Sequence, residues 1–115
     1  MEKTVNKVEL NGHMGVDPAV FQIGNNKKAV VSIATNENFM NKAGEWEKRT
    51  SWHKVVMWGK LAAMAESDLR KGMFINVTGR LSYRKYTGKD NQERFVTEVI
   101  ANEVEIVKSE VKASV

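Results

Sequence analysis

Apolar and polar residues alternate along most of this chain in runs that read as strands, broken once by a helical repeat. The sharpest run is Ser51-Trp52-His53-Lys54-Val55-Val56-Met57-Trp58-Gly59-Lys60-Leu61. Strand side chains point alternately to opposite faces. Trp52, Lys54, Val56 and Trp58 therefore share one face, and Ser51, His53, Val55 and Met57 the other. Two tryptophans around a lysine, backed by aliphatic residues, form a surface that can stack flat π-systems and attract negative charge. Val5 to Met14 alternates as well, with Val8, Leu10, Gly12 and Met14 opposite Lys7, Glu9, Asn11 and His13. Gly12 and Gly15 mark a bend there, and Asp17-Pro18 ends the run. A short run, Ala19 to Ile23, leads into the turn signal Gly24-Asn25-Asn26, and the β-branched stretch Lys28 to Asn36 predicts a second strand. Asn38 to Lys48 is polar and reads as a long hairpin loop holding Phe39 and Trp46.

After Gly59 the period changes. Leu61, Met64, Ala65 and Leu69 recur at helical spacing, and Gly72 after Arg70-Lys71 is a stop signal. Phe74 to Tyr86 then returns to strand alternation. Ile75, Val77, Gly79, Leu81 and Tyr83 share one face, with Asn76, Thr78, Arg80, Ser82, Arg84 and Tyr86 on the other. Thr87 to Gln92 is a second polar hairpin, and Arg94 to Val107 a fifth, long strand. Residues 1–107 make one domain by this reading, and 108–115 have too little apolar surface to pack and are expected to fray. Five strands with one short helix between the third and fourth predict an all-β OB-fold barrel, a fold whose strand face and loops bind oligonucleotides or oligosaccharides. A sandwich would need more strands, and an α/β sheet more helices.

Composition narrows the partner. A chain of 115 residues with 42% hydrophobic and 28% charged residues fits one soluble domain with a single core. The net charge of +4 favours an anionic partner, nucleic acid being the commonest for a small basic domain. There are no cysteines, which excludes disulfides and thiolate metal sites. No stretch reaches transmembrane length and the N-terminus has no apolar leader core, so a cytoplasmic protein without a membrane partner is expected. Catalytic chemistry finds no foothold. His13 and His53 are the only histidines, Asp17, Glu66 and Asp68 form no recognisable pair, and Gly12-His13-Met14-Gly15 lacks the Walker spacing and its lysine. No enzyme, metal or cofactor is expected.

Several fragments together resemble the bacterial single-stranded DNA-binding protein family. They are Asn6-Lys7-Val8 with Gly12, Gly15 and Asp17-Pro18, then Ala34-Thr35, Trp52-His53-Lys54-Val55-Val56, Gly59-Lys60-Leu61-Ala62, Leu69-Arg70-Lys71-Gly72 and Thr97-Glu98-Val99. In that order they run in register from about Asn6 to Ile106. The resemblance implies an OB-fold, usually a homotetramer with a dimer as the smaller option, that binds single-stranded DNA without sequence preference in replication, recombination and repair, near the nucleoid. It implies base stacking on Phe39, Trp52, Trp58 and Tyr86, and it places His53 at a subunit interface. Phe39 and Tyr86 stand where the family commonly has tryptophan, and Trp58 where phenylalanine is common. The family usually ends in a long tail with an acidic tip that recruits other proteins. This sequence ends at Lys112-Ala113-Ser114-Val115, so the resemblance does not extend to tail-mediated recruitment.

Single-strand binders join aromatic platforms to a cationic groove. The cations expected at phosphates are Lys7, Lys54, Lys60, Arg80, Arg84 and Lys85. Lys85 has the parity of Tyr83, so its place on the binding face requires a twist near the strand end. Aromatics in strands are more often buried than functional; the parity of Trp52 and Trp58 with Lys54 argues the other way. Trp46 fits no pattern in the sequence and reads as a loop aromatic or a packing residue. The alternative function is an OB-fold adaptor of the primosomal kind acting mainly through protein contacts, in which the aromatic platform is usually depleted.

Overall fold

The computed structural model describes residues 2–107; the expectation of a frayed tail concerns 108–115, outside the described residues. In chain order the elements are β1 (Val8–Met14), β2 (Ala19–Ile23), β3 (Asn26–Met40), β4 (Trp46–Trp58), α1 (Lys60–Asp68), β5 (Phe74–Thr87) and β6 (Glu93–Ile106). The helix thus follows the fourth strand, not the third. The added strand is β2, which pairs residue by residue with Asn26–Val30 of β3. Its side chains are mostly exposed and Val20 alone packs against the core, so no hydrophobic alternation shows.

Closure follows from the length of β3. One edge of β3 carries β2 along its first residues and β1 at His13–Ala34 and Met14–Ile33 further on. Its other edge carries β4 throughout. Strands β1, β5, β6, β4 and β3 therefore form a ring, joined by parallel pairing of β4 with β6 at Val55–Val99 and Val56–Ile100. A closed ring leaves no free sheet edge over the barrel.

The core holds the inward residues the alternation predicts: Met14, Val31, Ile33, Val55, Met57, Ile75 and Val77. Helix α1 covers one end with Ala62, Ala65 and, just beyond it, Leu69. It stops at Asp68, four residues before Gly72, which instead turns the chain into β5 with φ 90°. Two glycines permit close strand approach. A methyl on Gly12 would stand 2.1 Å from the Ala34 carbonyl oxygen, and one on Gly79 2.1 Å from that of Ile100. At Gly79 the β5–β6 register shifts, leaving Asn102 unpaired. The bulge changes the inward phase of β6 from Val99 and Ala101 to Val104 and Ile106.

The β3–β4 hairpin is a ribbon, not a loop, while the β5–β6 hairpin turns at 88–92, as expected for Thr87 to Gln92. Strands β3 and β4 stay paired to Met40–Trp46, so the expected loop over Asn38–Lys48 shrinks to a turn at residues 41–45. Asn41 organises that turn: its Oδ1 accepts the backbone N–H groups of Ala43 and Glu45, each at 2.9 Å. Polar composition suggested a loop, but a ribbon beyond the barrel has no buried face and needs no apolar alternation. The β5–β6 ribbon shows the same effect. Tyr83 keeps the parity of Leu81 yet is 66% exposed, because β5 has already left the barrel there.

Candidate nucleic-acid interface

The outer face of the β3–β4 pair is built from alternate residues. On β4 it carries Trp46, Lys48, Thr50, Trp52, Lys54, Val56 and Trp58; opposite them on β3 stand Met40, Asn38, Asn36, Ala34, Ser32, Val30 and Lys28. This face has three tryptophans, three lysines and no acid. Val56, on the exposed parity, is nevertheless buried, between Val30 and Ile100 on the neighbouring strands. It forms an apolar floor between the side chains of Lys54 and Trp58.

Trp52 and Trp58 both lie open to solvent. Six residues of strand separate them by about 20 Å, a distance that a strand of several nucleotides must cross. Trp52 is seated on Gly15, where a methyl would come 2.4 Å from its Cζ3. Trp58 carries the Lys28 ammonium 5.6 Å from its ring centroid. That contact favours the cation by roughly 0.5–1 kcal/mol at an exposed site. Lys28 was not legible as a site residue, because only the cross-strand register brings it to Trp58.

Strands β5 and β6 extend the face through the parallel join. Arg80 lies across from Ile100, Ser82 from Glu98, Arg84 from Val96 and Tyr86 from Arg94. Glu98 is the one acid in this set, and it is only 5% exposed. Arg84 Nε stands 3.2 Å from its Oε1, and Lys54 Nζ 3.5 Å from its Oε2. Among the described residues its Oε2 finds no hydrogen-bond donor. Thr97-Glu98-Val99 was visible as a fragment, but its link between two cations from different strands was not.

The expected site residues thus divide. Trp52, Trp58, Lys54, Arg80, Arg84 and Tyr86 come together on one continuous surface. Lys60 follows two residues after Trp58, exposed at the start of α1. Phe39 has the opposite parity to Trp52: it lies on the reverse of the β3–β4 ribbon, with the Arg49 guanidinium 4.5 Å from its ring centroid. Lys85 is on the reverse of the β5–β6 ribbon, paired with Glu93 at 3.1 Å. Lys7 precedes β1 and pairs with Glu9 at 3.5 Å. His53 has core-side parity and sits half-buried near the barrel mouth, where its Nε2 and the Thr35 Oγ1 are 2.8 Å apart.

The outward side of β1, β5 and β6 has the opposite character. Its groove, about 580 Å³, is lined by Glu9, Asn11, Asn76, Glu103 and Glu105 among others. Asn11 donates to Asn76, and Asn76 to Glu105 at 3.1 Å. A polyanion is disfavoured there and favoured on the tryptophan face. Among the described residues no group of three or more histidine, aspartate or glutamate side chains could hold a metal ion. No helix among them is long and apolar enough to cross a membrane.

A barrel with one capping helix and an aromatic, cationic outer face is the architecture of an oligonucleotide-binding domain. Residues 5–107 match the model of the single-strand binding protein family. The chain belongs to that family. It is 39% identical over 108 residues to proteins named single-stranded DNA-binding protein from Xylella fastidiosa and Xanthomonas campestris. Those alignments cover 93% of this chain but 66% and 63% of the relatives, so the chain spans about two thirds of their length. A solved structure described as the Plasmodium falciparum SSB complex with ssDNA superposes with a TM-score of 0.81 at 31% identity, covering 93% of this chain and 97% of that one.

Proposed function

We propose that this chain binds single-stranded DNA without sequence preference, as a homotetramer of OB-fold barrels serving replication, recombination and repair. The observation that carries this reading is the outer face of β3 and β4. It places Trp52, Trp58, Lys28 and Lys54 together on a surface without an acid. Bases stack on Trp52, Trp58 and Tyr86, and Phe39 takes part where the strand wraps round the edge of the ribbon. Lys28, Lys54, Lys60, Arg80 and Arg84 neutralise phosphates, with Lys7 and Lys85 at the periphery. His53 belongs to the subunit interface, and the protein acts in the cytoplasm without catalysis. Family membership, and the likeness to a structure described as a complex with ssDNA, support the choice of partner.

Mechanistically, each neutralised phosphate releases counterions, so affinity falls with salt, by about 0.7 in logarithmic slope per phosphate of a single strand. Stacking contributes roughly 1–3 kcal/mol per base and tolerates every sequence, because each base has a π-face. The test is the double variant Trp52→Ala with Trp58→Ala, titrated with a fluorescent oligo(dT). Its affinity should fall at least about tenfold while thermal stability and oligomeric state stay unchanged. Unchanged affinity would remove the platform from the mechanism.

A further inference from the structure

Trp46 is the tryptophan that the reading above leaves unused. It is 70% exposed and sits at the end of the β3–β4 ribbon, opposite Met40. We propose that Trp46 is a further base-stacking residue, which extends the single-strand site along the ribbon beyond Trp52; the inference rests on the single-strand reading.

Register carries the first part of the argument. Pairing of β3 with β4 is one-to-one from Met40–Trp46 to Lys28–Trp58, with no shift between. Trp46, Trp52 and Trp58 therefore occupy positions i, i+6 and i+12 on one face, which winds with the twist of the ribbon. Each step spans about 20 Å, so a strand leaving Trp52 outward meets Trp46 next.

Charge carries the second part. Between Trp46 and Trp52 the face shows Lys48 and Thr50, opposite Asn38 and Asn36, and Thr50 donates to Asn36 Oδ1 at 2.7 Å. One lysine and neutral amides suit a phosphate path. The reverse of the same ribbon carries Glu37 and Glu47 beside Arg49 and Phe39. A polyanion following the ribbon is drawn to the Trp46 side.

Local order carries the third. The Asn41 turn closes immediately before Trp46: Asn41 N–H donates to the Glu45 carbonyl at 2.8 Å, and Asn41 Nδ2 to Glu47 Oε2 at 2.7 Å. The indole is rooted in paired backbone, so less freedom is lost on stacking than in an open loop. Among the described residues the aromatic and cation–π contacts involve Phe74, Trp58 and Phe39, not Trp46. At 70% exposure the indole presents accessible surface to a base.

Two measurements test the proposal. In the first, Trp46→Ala and wild type are titrated with oligo(dT) of two lengths, one reaching only from Trp58 to Trp52 and one long enough to reach Trp46. The expected result is a loss of about fivefold or more with the long strand and none with the short one. Equal binding of the long strand by both proteins overturns the proposal. In the second, Trp52→Phe with Trp58→Phe leaves Trp46 as the only tryptophan while keeping aromatic platforms. Quenching of its emission by the long strand supports stacking. Binding without a change in that emission overturns the role of Trp46 and leaves the single-strand reading standing; failure of wild type to bind either strand overturns both. Loss of self-association in Trp46→Ala with undiminished DNA binding would assign the indole to a protein contact and overturn the proposal as well.

Discussion

Trp52 shows how a single side chain is prepared for its task. Its ring rests where Gly15 has no Cβ, so Gly15→Ala must displace either the indole or the β1–β2 connection. We predict that this variant stays folded and loses several-fold in affinity for oligo(dT), part of the stacking contribution of one base. Affinity equal to wild type would show that the seating of Trp52 is immaterial. Glu98 acts in the opposite sense. Buried between Lys54 and Arg84, it holds both cations in place and cancels one positive charge on the binding face. Glu98→Gln frees them for phosphates, and the logarithmic salt slope of DNA binding should steepen by about 0.7, one phosphate's worth. An unchanged slope measured by salt-back titration would exclude this role.

Among the elements, α1 and the inward faces of β1, β4 and β5 were legible because they bury a face, and burial imposes a period on the sequence. Val55 and Met57 are inside and Trp52 outside, as their parity requires. Strand β2, of which Val20 alone packs against the core, read only as a short run, and the outer ends of β3 and β4 read as a loop, for they stand beyond the barrel with little to bury. Strand β6 was legible as a long strand but its inward face was not, since the phase changes at Asn102 and its inward residues run 99, 101, 104 and 106. Phe39 and Lys85 were placed by likeness or by assumed twist, and register puts both on the reverse of their ribbons. The ribbons owe their shape to turns instead of packing. Asn41→Ala removes two side-chain-to-backbone hydrogen bonds, worth about 1 kcal/mol each. The amides of Ala43 and Glu45 should then exchange faster with deuterium while the melting temperature of the barrel is unchanged. A lowered melting temperature would mean that the ribbon and barrel fold as one unit.

At the scale of the molecule, closure and polarity are joined. Gly12 and Gly79 let backbones approach closely enough to complete the ring, and Ile33 fills its centre. Ile33→Ala should cost about 2–5 kcal/mol in denaturant unfolding, as a cavity in a buried site does. A cost below about 1 kcal/mol would contradict the packing described. The closed ring presents an aromatic, cationic face on β3 and β4 and an acidic groove on β1, β5 and β6. A net charge of +4 shows the excess and not its segregation, which only the fold supplies. The most direct test of the account is titration of the intrinsic tryptophan fluorescence with oligo(dT), at low and then high salt. Saturable quenching that weakens steeply with salt is the predicted result, because bases stack on indoles while cations hold the phosphates. Absence of binding at low salt would contradict it.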